Sequence, residues 1–239
     1  MPIKEYDISQ PAPAPSTVKR PSLLQEARVM IQPIRLIGSY KELSKGKAGN
    51  GERVMLFPGW KSHETVMFLL KRYLNRLGYD TQYWGLGFNN GYVERYRDKI
   101  ISKLEKETSQ EKITLIGWSL GGLIAREVAR VIPHKIASII TYGTPAIGGP
   151  KYTIGVNTYE EKEVQRIIDL QAELDKTNPI KVPMSIIFTK NDSIVNWSAC
   201  IDRKSKNVKH YEVNSSHLSL GIDPNVWKII VQELENRTI

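Results

Sequence analysis

Short apolar runs alternate with amphipathic segments along most of the chain. Runs of apolar and β-branched residues predict buried strands, whereas apolar residues repeated at spacings of three and four predict helices. On this pattern the strands are 53–57, 81–84, 113–116, 136–142, 183–189 and 208–213, and the helices are 63–77, 92–108, one that ends near Pro133, 158–175 and 224–236. Strands that alternate with helices predict an α/β fold with a mostly parallel central sheet and helices on both faces.

The N-terminal part does not follow this alternation. Residues 1–21 contain Pro-Ala-Pro-Ala-Pro and predict a flexible, extended arm. The residues after it have apolar side chains at helical spacing as far as Pro33, which predicts a short amphipathic helix that ends there. We expect its apolar face to pack on the domain and not on a membrane; this face contains Leu23, Leu24, Ala27, Met30 and Ile31. Residues 22–239 are predicted to form one domain, in which 150–180 is a short lid.

The composition is typical of a globular protein, with 41% hydrophobic and 25% charged residues. No apolar run approaches the roughly 18 residues that a membrane-spanning helix needs. The first residues are polar and lack the apolar core of a secretory signal. The single cysteine, Cys200, excludes an internal disulfide and is typical of a reducing compartment. These features predict a cytoplasmic location.

The net charge of +9 has two interpretations. A solvated basic surface is the favoured one, and contact with an anionic membrane surface is compatible with the same charge. The chain has no run of five or more Lys and Arg residues and no nucleic-acid-binding motif, so we expect no nucleic-acid partner.

A predicted strand ends in Gly117-Trp118-Ser119-Leu120-Gly121, and a helical pattern begins at once. A strand, G-x-S-x-G and a helix together form a nucleophile elbow, which presents the serine hydroxyl at a helix N-terminus. Gly117 and Gly121 let the backbone pass where a side chain would not fit. A G-x-S-x-G alone arises by chance in about one chain in ten of this length. The assignment of Ser119 as a nucleophile therefore depends on its partners.

A nucleophilic serine needs a histidine base. After an elbow of this kind, the partners follow in the order Asp or Glu and then His, on loops at the ends of later strands. His63 and His134 fail the order or the placement, and His210 lies inside a predicted strand, where we interpret it as structural. His217 follows that strand and precedes the last helix, so it is the predicted base.

The carboxylate that orients the histidine is predicted to be Asp192. It follows the apolar strand 183–189, at the end where a carboxylate could reach His217. An aspartate in Asn-Asp-Ser is also a common turn residue, which is the structural alternative. Asp202, in the following segment, is the second candidate for the acid.

An oxyanion hole requires two backbone donors. One is the N–H of Leu120, directly after Ser119, and the other is the N–H of Trp60, where Gly59 permits a close backbone approach. The side chains of Trp60 and Trp118 are candidates for the wall of an acyl pocket, although rings beside an elbow are as often part of the packing.

No spacing of His, Cys and Asp indicates a zinc site, so we expect no metal. Gly85-x-Gly87 lacks the third glycine of a dinucleotide fingerprint, so we expect no cofactor. Cys200 is a weak candidate nucleophile because nothing near it in the sequence would lower the pKa of its thiol.

These motifs resemble the α/β-hydrolase superfamily of serine hydrolases, and within it bacterial esterase and lipase-type proteins of the lipase and GPI-inositol-deacylase branch. The resemblance covers most of the chain from Arg53 onward; the matching stretches are 56–60, 77–80 with 84–87, 116–122, 141–145, 191–197 and 216–224. Ser193 and Asn196 stand where that branch has Gly and Pro, and Ser219 replaces a Gly beside the histidine. After Pro145 a lipase-like pattern is replaced by Ala-Ile-Gly-Gly-Pro, which argues against a fat-splitting lipase.

The resemblance implies the α/β-hydrolase fold and a serine hydrolase that cleaves carboxylic esters, including lipid esters, through an acyl-enzyme. An acyltransferase or thioesterase would use the same triad. A catalytically idle protein of this fold that only binds a partner is a third hypothesis, from a different functional class.

Overall fold

The computed structural model describes residues 5–9, 12–18, 20–39, 43 and 49–236. Its strands are β1 Arg53–Phe57, β2 Asp80–Tyr83, β3 Ile113–Trp118, β4 Ile136–Tyr142, β5 Met184–Phe188 and β6 Val208–Glu212. Its helices are α1 Leu23–Glu26, α2 Gln32–Gly38, α3 Phe68–Arg76, α4 Val93–Lys106, α5 Leu120–Val131, α6 Glu161–Thr177 and α7 Pro224–Glu235. The strands pair in parallel in the order β2-β1-β3-β4-β5-β6.

Two apolar cores lie on opposite faces of this sheet because successive residues of a strand point to opposite sides. In β1, Met55 and Phe57 pack with residues of α4 and α5, whereas Val54 and Leu56 pack with residues of α3 and α7. The predicted α/β architecture, with a parallel sheet covered by helices on both faces, is confirmed.

The N-terminal helical segment, residues 23–38, differs from the prediction in two ways. It continues past Pro33, which occupies the first turn of α2, where the N–H that proline lacks would have no intrahelical partner. Its apolar face also points outward: Leu24 is 87% exposed and Met30 78% exposed, while Glu26 and Gln32 are buried. The expectation of an inward apolar face was wrong because buried polar partners on the domain bind the opposite side of the segment.

The predicted arm reaches the edge of the sheet near its start. Glu5 forms an antiparallel bridge with Tyr211 of β6, and the Tyr6 N–H donates to the His210 carbonyl at 2.6 Å. The Tyr6 ring packs edge-on against Phe188. These contacts cover an edge strand that would otherwise expose unpaired backbone groups. Residues 1–4, 10, 11 and 19 of the arm lie outside the described residues, and its flexibility stays a prediction.

All six strands run in the same direction, so the loops that follow them meet at one edge of the sheet. The segments after β1, β3, β5 and β6 carry the candidate site residues. Among the described helices, none combines the length and the apolar character that crossing a bilayer requires.

Candidate active site

Ser119 occupies a strained turn between β3 and α5. Its φ of 53° and ψ of −124° lie in a region that residues with a side chain rarely adopt. A Cβ atom on Gly121 would stand 2.3 Å from the Phe57 carbonyl oxygen, and one on Gly117 would stand 2.3 Å from the Gly122 Cα. The Thr144 hydroxyl holds the turn by donating to the Ser119 carbonyl at 2.8 Å. The backbone of the sequence motif is therefore that of a nucleophile elbow.

The structure brings Ser119, His217 and Asp192 together from three separate loops. The His217 Nε2 lies 3.0 Å from the Ser119 Oγ, and its Nδ1 lies 2.7 Å from the Asp192 Oδ2. The His217 and Asp192 side chains are almost completely buried. A hydroxyl, an imidazole and a carboxylate in this sequence of hydrogen bonds are arranged for proton transfer from the serine.

The Asp192 carboxylate is oriented by its own loop. Its Oδ1 accepts the N–H groups of Ile194 at 2.9 Å and Val195 at 2.7 Å. The other oxygen is left to His217. This is the turn geometry that the sequence suggested as a structural alternative, and here the same carboxylate makes both the turn contacts and the contact with His217.

Asp202, the second candidate for the acid, lies in a different cluster. It pairs with Arg126 at 2.9 Å, with both side chains buried. Burial alone would raise the pKa of Asp202, but the Arg126 charge and N–H groups of the following turn hold it well below its usual range. The Asp202 N–H donates to the His210 Nε2 at 3.0 Å, and burial lowers the pKa of His210 to about 4. Both residues belong to the packing of the domain.

The pKa of His217 is raised above its ordinary value. Burial acts to lower it, but the Asp192 carboxylate, through its charge and its hydrogen bond, and the charge of Glu26 outweigh that effect. The imidazolium formed when this group accepts a proton is therefore stabilised.

The predicted oxyanion donors lie on both sides of Ser119. A Cβ on Gly59 would be 3.5 Å from the Ser119 Cβ, so the backbone that leads into Trp60 passes close to the nucleophile. Leu120 is the first residue of α5. Within the part of the chain that the structure describes, neither the Trp60 N–H nor the Leu120 N–H donates to a protein acceptor.

Asn89 holds the loop that leads from β1 to Trp60 and Lys61, and it was not identified from the sequence. Its side chain is fully buried, and the side-chain amide donates to the Pro58 carbonyl at 2.8 Å. The backbone carbonyl of Asn89 accepts the Lys61 N–H at 2.8 Å. Lys61 has a positive φ of 53°, which these bonds stabilise. Residues 87–91, Gly-Phe-Asn-Asn-Gly, have a composition typical of a turn, but nothing in this string indicates which loop it binds.

A mainly apolar cleft of about 780 Å³ opens above Ser119 and His217. The Trp60 and Trp118 side chains line it, as predicted for an acyl pocket, and the predicted lid contributes residues of α6 and of the turns before it. The Trp60 ring lies close to Gly155 of one of these turns, since a Cβ there would be 3.5 Å from the ring. This cleft could hold an apolar chain next to the hydroxyl.

Cys200 and a metal site are the other candidate centres for chemistry in this chain. Cys200 is completely buried, and burial raises the pKa of its thiol, which opposes a nucleophilic role. Among the residues described, no group of three or more His, Cys, Asp or Glu side chains is placed to hold a metal ion.

Comparisons with known proteins agree with this fold. The sequence model of a family described as the alpha/beta hydrolase fold matches residues 78–166. The chain is 30% identical over 150 residues to the pimeloyl-[acyl-carrier protein] methyl ester esterase of Wigglesworthia glossinidia brevipalpis, a match that covers 61% of this chain and 53% of that protein. The chain thus spans about half the length of the curated relative that it matches.

Solved structures give the same result at the level of the fold. The monoacylglycerol lipase of Paleococcus ferrophilus is 21% identical with a TM-score of 0.57, covering 80% of this chain and 98% of that one. Alpha/beta hydrolase domain-containing protein 10 from mouse is 17% identical with a TM-score of 0.56, covering 80% of this chain and 90% of that one. The chain has the α/β-hydrolase fold, as its motifs predicted.

Proposed function

We propose that this protein is a serine hydrolase that cleaves carboxylic esters through an acyl-enzyme. The observation that carries the proposal is the unbroken series of hydrogen bonds from Ser119 through His217 to Asp192 beneath an apolar cleft. The ester chemistry in the names of the Wigglesworthia esterase and the Paleococcus lipase supports the same reaction class.

In the proposed mechanism, the Ser119 Oγ attacks the acyl carbon while the His217 Nε2 takes its proton. The N–H groups of Trp60 and Leu120 donate to the oxyanion, and Asp192 stabilises the imidazolium. His217 then protonates the leaving alcohol, and the acyl group remains on the serine. A water molecule, deprotonated by His217, attacks this ester and releases the carboxylic acid.

The cleft favours an ester with an apolar acyl chain. Aromatic and aliphatic side chains form most of its wall, and burial of each methylene contributes about 0.8 kcal/mol. An alcohol or a thiol could replace water in the second step, and a thioester could replace the ester in the first. These acyltransferase and thioesterase alternatives use the same three residues. Cys200 as the only cysteine supports a reducing compartment such as the cytoplasm.

Labelling with a fluorophosphonate probe tests the proposal. We expect the wild type to be labelled and Ser119→Ala not, because only a serine activated by a base reacts with such probes. Ser102→Ala, which removes a serine of α4 remote from the triad, is the matched control and should label like the wild type. Turnover of p-nitrophenyl esters should fall about 10³-fold or more in Ser119→Ala.

Two results would contradict the proposed ester hydrolysis at Ser119. A folded wild type that is neither labelled nor active would favour the idle binding protein. Undiminished turnover in Ser119→Ala would place the chemistry elsewhere. With added alcohol acceptors, an ester product in excess of the free acid would favour the acyltransferase.

A contact with an anionic lipid surface is the second part of the proposal, and the outward apolar face of residues 23–38 supports it. Leu24, Met30, Ile34 and Ile37 are each more than 70% exposed. Between residues 19 and 47 the sequence has seven Lys and Arg residues against two Glu residues, so the part of the sequence that contains and flanks this face carries much of the excess positive charge. An exposed apolar helix face with basic neighbours binds anionic bilayers by inserting its apolar side chains and attracting the headgroups.

A further inference from the structure

Glu26 is a buried carboxylate that the mechanism above does not use. It is the last residue of α1 and is only 6% exposed, although its neighbour Leu24 is almost fully exposed. Burying a carboxylate is costly unless it is hydrogen-bonded. Its burial in an otherwise exposed short helix therefore indicates specific partners.

Those partners are the immediate neighbours of two triad residues. The Glu26 Oε1 accepts the Ser193 hydroxyl at 2.8 Å, and its Oε2 accepts the Leu218 N–H at 2.9 Å. Ser193 directly follows Asp192, and Leu218 directly follows His217. One carboxylate thus joins the loop that carries the acid to the loop that carries the base.

Among the described residues, other side chains also join the same two loops. The Thr189 hydroxyl donates to the Ser215 carbonyl at 2.9 Å, and the side chains of Asn191 and Asn214 bond at 3.1 Å. In each of these contacts at least one partner lies two or more residues from the triad member of its loop, whereas both Glu26 contacts lie one residue from a triad member. Apart from the hydrogen bond between Asp192 and His217 themselves, Glu26 therefore makes the link between the two loops that lies nearest to both triad residues.

The segment that supplies Glu26 is itself fixed to the domain. Gln32 and Arg35 both donate to the Asp223 carboxylate at 3.3 Å. Asp223 is fully buried and caps α7 through the Asn225 N–H. Leu36 packs against the apolar core beneath α7. A second anchor of this kind limits the movement of Glu26 and makes its contacts preorganised.

We propose that Glu26 is a positioning residue for the triad: its carboxylate, brought in by the N-terminal segment, fixes the distance between the Asp192 and His217 loops and adds negative charge beside the imidazole. This inference rests on the proposed serine-hydrolase function. It assigns to residues 23–38 a part in the active site, which the triad motifs alone do not include.

The charge of Glu26 makes the inference measurable by pH. Asp192 and Glu26 are the charged groups that raise the pKa of His217. Lys61, three arginines and three glutamates line the surrounding cleft. Because His217 must be neutral to accept the Ser119 proton, a raised pKa means that kcat/KM falls with decreasing pH from a midpoint above 6.5. Removal of the Glu26 charge should move that midpoint to lower pH.

The experiment compares Glu26→Gln with the wild type in p-nitrophenyl ester hydrolysis between about pH 5 and 9, the range in which a histidine titrates. The glutamine amide has one acceptor oxygen where the carboxylate has two, so it can accept either the Ser193 donors or the Leu218 N–H but not both. We therefore expect kcat to fall about tenfold with KM within about twofold. The midpoint of the acid limb should also fall. Glu105→Gln, which removes an exposed carboxylate of α4, is the matched control and should change neither quantity.

Two further variants separate positioning from charge and from folding. Ser193→Ala removes one donor but leaves the carboxylate, so kcat should fall by a smaller factor without movement of the acid limb. Glu26→Asp retains the charge but shortens the side chain, so the acid limb should stay near that of the wild type while kcat falls. Both variants are measurable even where Glu26→Gln fails to fold.

The inference is overturned where folded Glu26→Gln keeps the wild-type kcat and acid limb, or where Glu26→Asp and Ser193→Ala match the wild type in rate. In either case fluorophosphonate labelling of wild-type Ser119 would leave the proposed function standing. A wild type that neither labels nor turns over any ester would overturn the proposed function, and the role of Glu26 with it.

Discussion

At the scale of single residues, the elbow depends on backbone positions that have no room for a side chain. The atoms nearest a Cβ at Gly121 are the carbonyl oxygens of Phe57 and Pro58, at 2.3 and 2.5 Å. Both belong to the backbone that leads from β1 to Trp60, so they cannot move aside as a side chain would. The elbow and the loop that leads from β1 to Trp60 therefore pack directly against each other.

Gly121→Ala should consequently lower both activity and stability. We expect fluorophosphonate labelling of Ser119 to be lost and the melting temperature to fall, since overpacking typically costs 1–3 kcal/mol or more. Gly221→Ala is the matched control, because no atom lies within 4 Å of a Cβ there. Equal labelling rates in the two variants would contradict the close contact of elbow and loop.

The two aspartates weighed for the same role also separate at this scale. Both are buried, and both follow β5 in the chain, so sequence order alone did not distinguish them. Asp192 bonds to His217, whereas Asp202 bonds to Arg126. Replacement of the carboxylate that bonds to the candidate base should affect activity, whereas replacement of the one that neutralises a buried arginine should affect stability.

Asp192→Asn should keep most of the stability but lose roughly 10³- to 10⁴-fold in kcat, because the amide favours the wrong imidazole tautomer. Asp202→Asn should instead lower the free energy of unfolding by about 3 kcal/mol, since it leaves the buried Arg126 charge unpaired. Thermal unfolding and labelling at a permissive temperature check the pair. An Asp202→Asn protein with normal stability and no labelling would reverse the two assignments.

At the scale of elements, the strands were predicted more closely than the N-terminal helices. Strands 53–57 and 136–142 coincide with β1 and β4 because a buried parallel strand is a nearly continuous apolar run. The predicted helix 63–77 begins as a 3₁₀ turn, Glu64–Met67, and becomes α3 at Phe68. Helical spacing does not distinguish a 3₁₀ start from an α-helical one.

The orientation of residues 23–38 shows where pattern reasoning fails. Periodicity indicates that a segment has an apolar face, but it assumes that this face turns inward. Here the domain offers the Ser193 hydroxyl, the Leu218 N–H and the Asp223 carboxylate as partners, and they bind the polar side of the segment. Glu26 could not be placed from the sequence because its partners are more than 160 residues away.

At the scale of the whole molecule, the outward apolar face should make binding to lipid vesicles depend on headgroup charge. We expect sedimentation with vesicles that contain phosphatidylserine and little with phosphatidylcholine alone. Binding should weaken at higher salt, which screens the attraction between the basic residues and the headgroups.

The double variant Ile34→Ser with Ile37→Ser should bind these vesicles several-fold less, because two exposed apolar side chains are lost. Val131→Ser, which replaces a half-exposed valine at the end of α5, is the matched control and should bind like the wild type. A different result would assign the face to a second copy of the chain. In that case the wild type would not bind vesicles but would form a dimer, and the Ile34/Ile37 variant would not.

The sequence by itself determined the fold and indicated Ser119 and His217, and it favoured Asp192 over Asp202 as their carboxylate. Each of these depends on a local string: an apolar strand, the G-x-S-x-G turn, and a polar residue in the loop after a later strand. The tertiary structure decided which aspartate faces His217, how Asn89 fixes the loop of Trp60, and which side of residues 23–38 turns inward. These features depend on hydrogen bonds between distant parts of the chain, and such partners come together only when the sheet has formed.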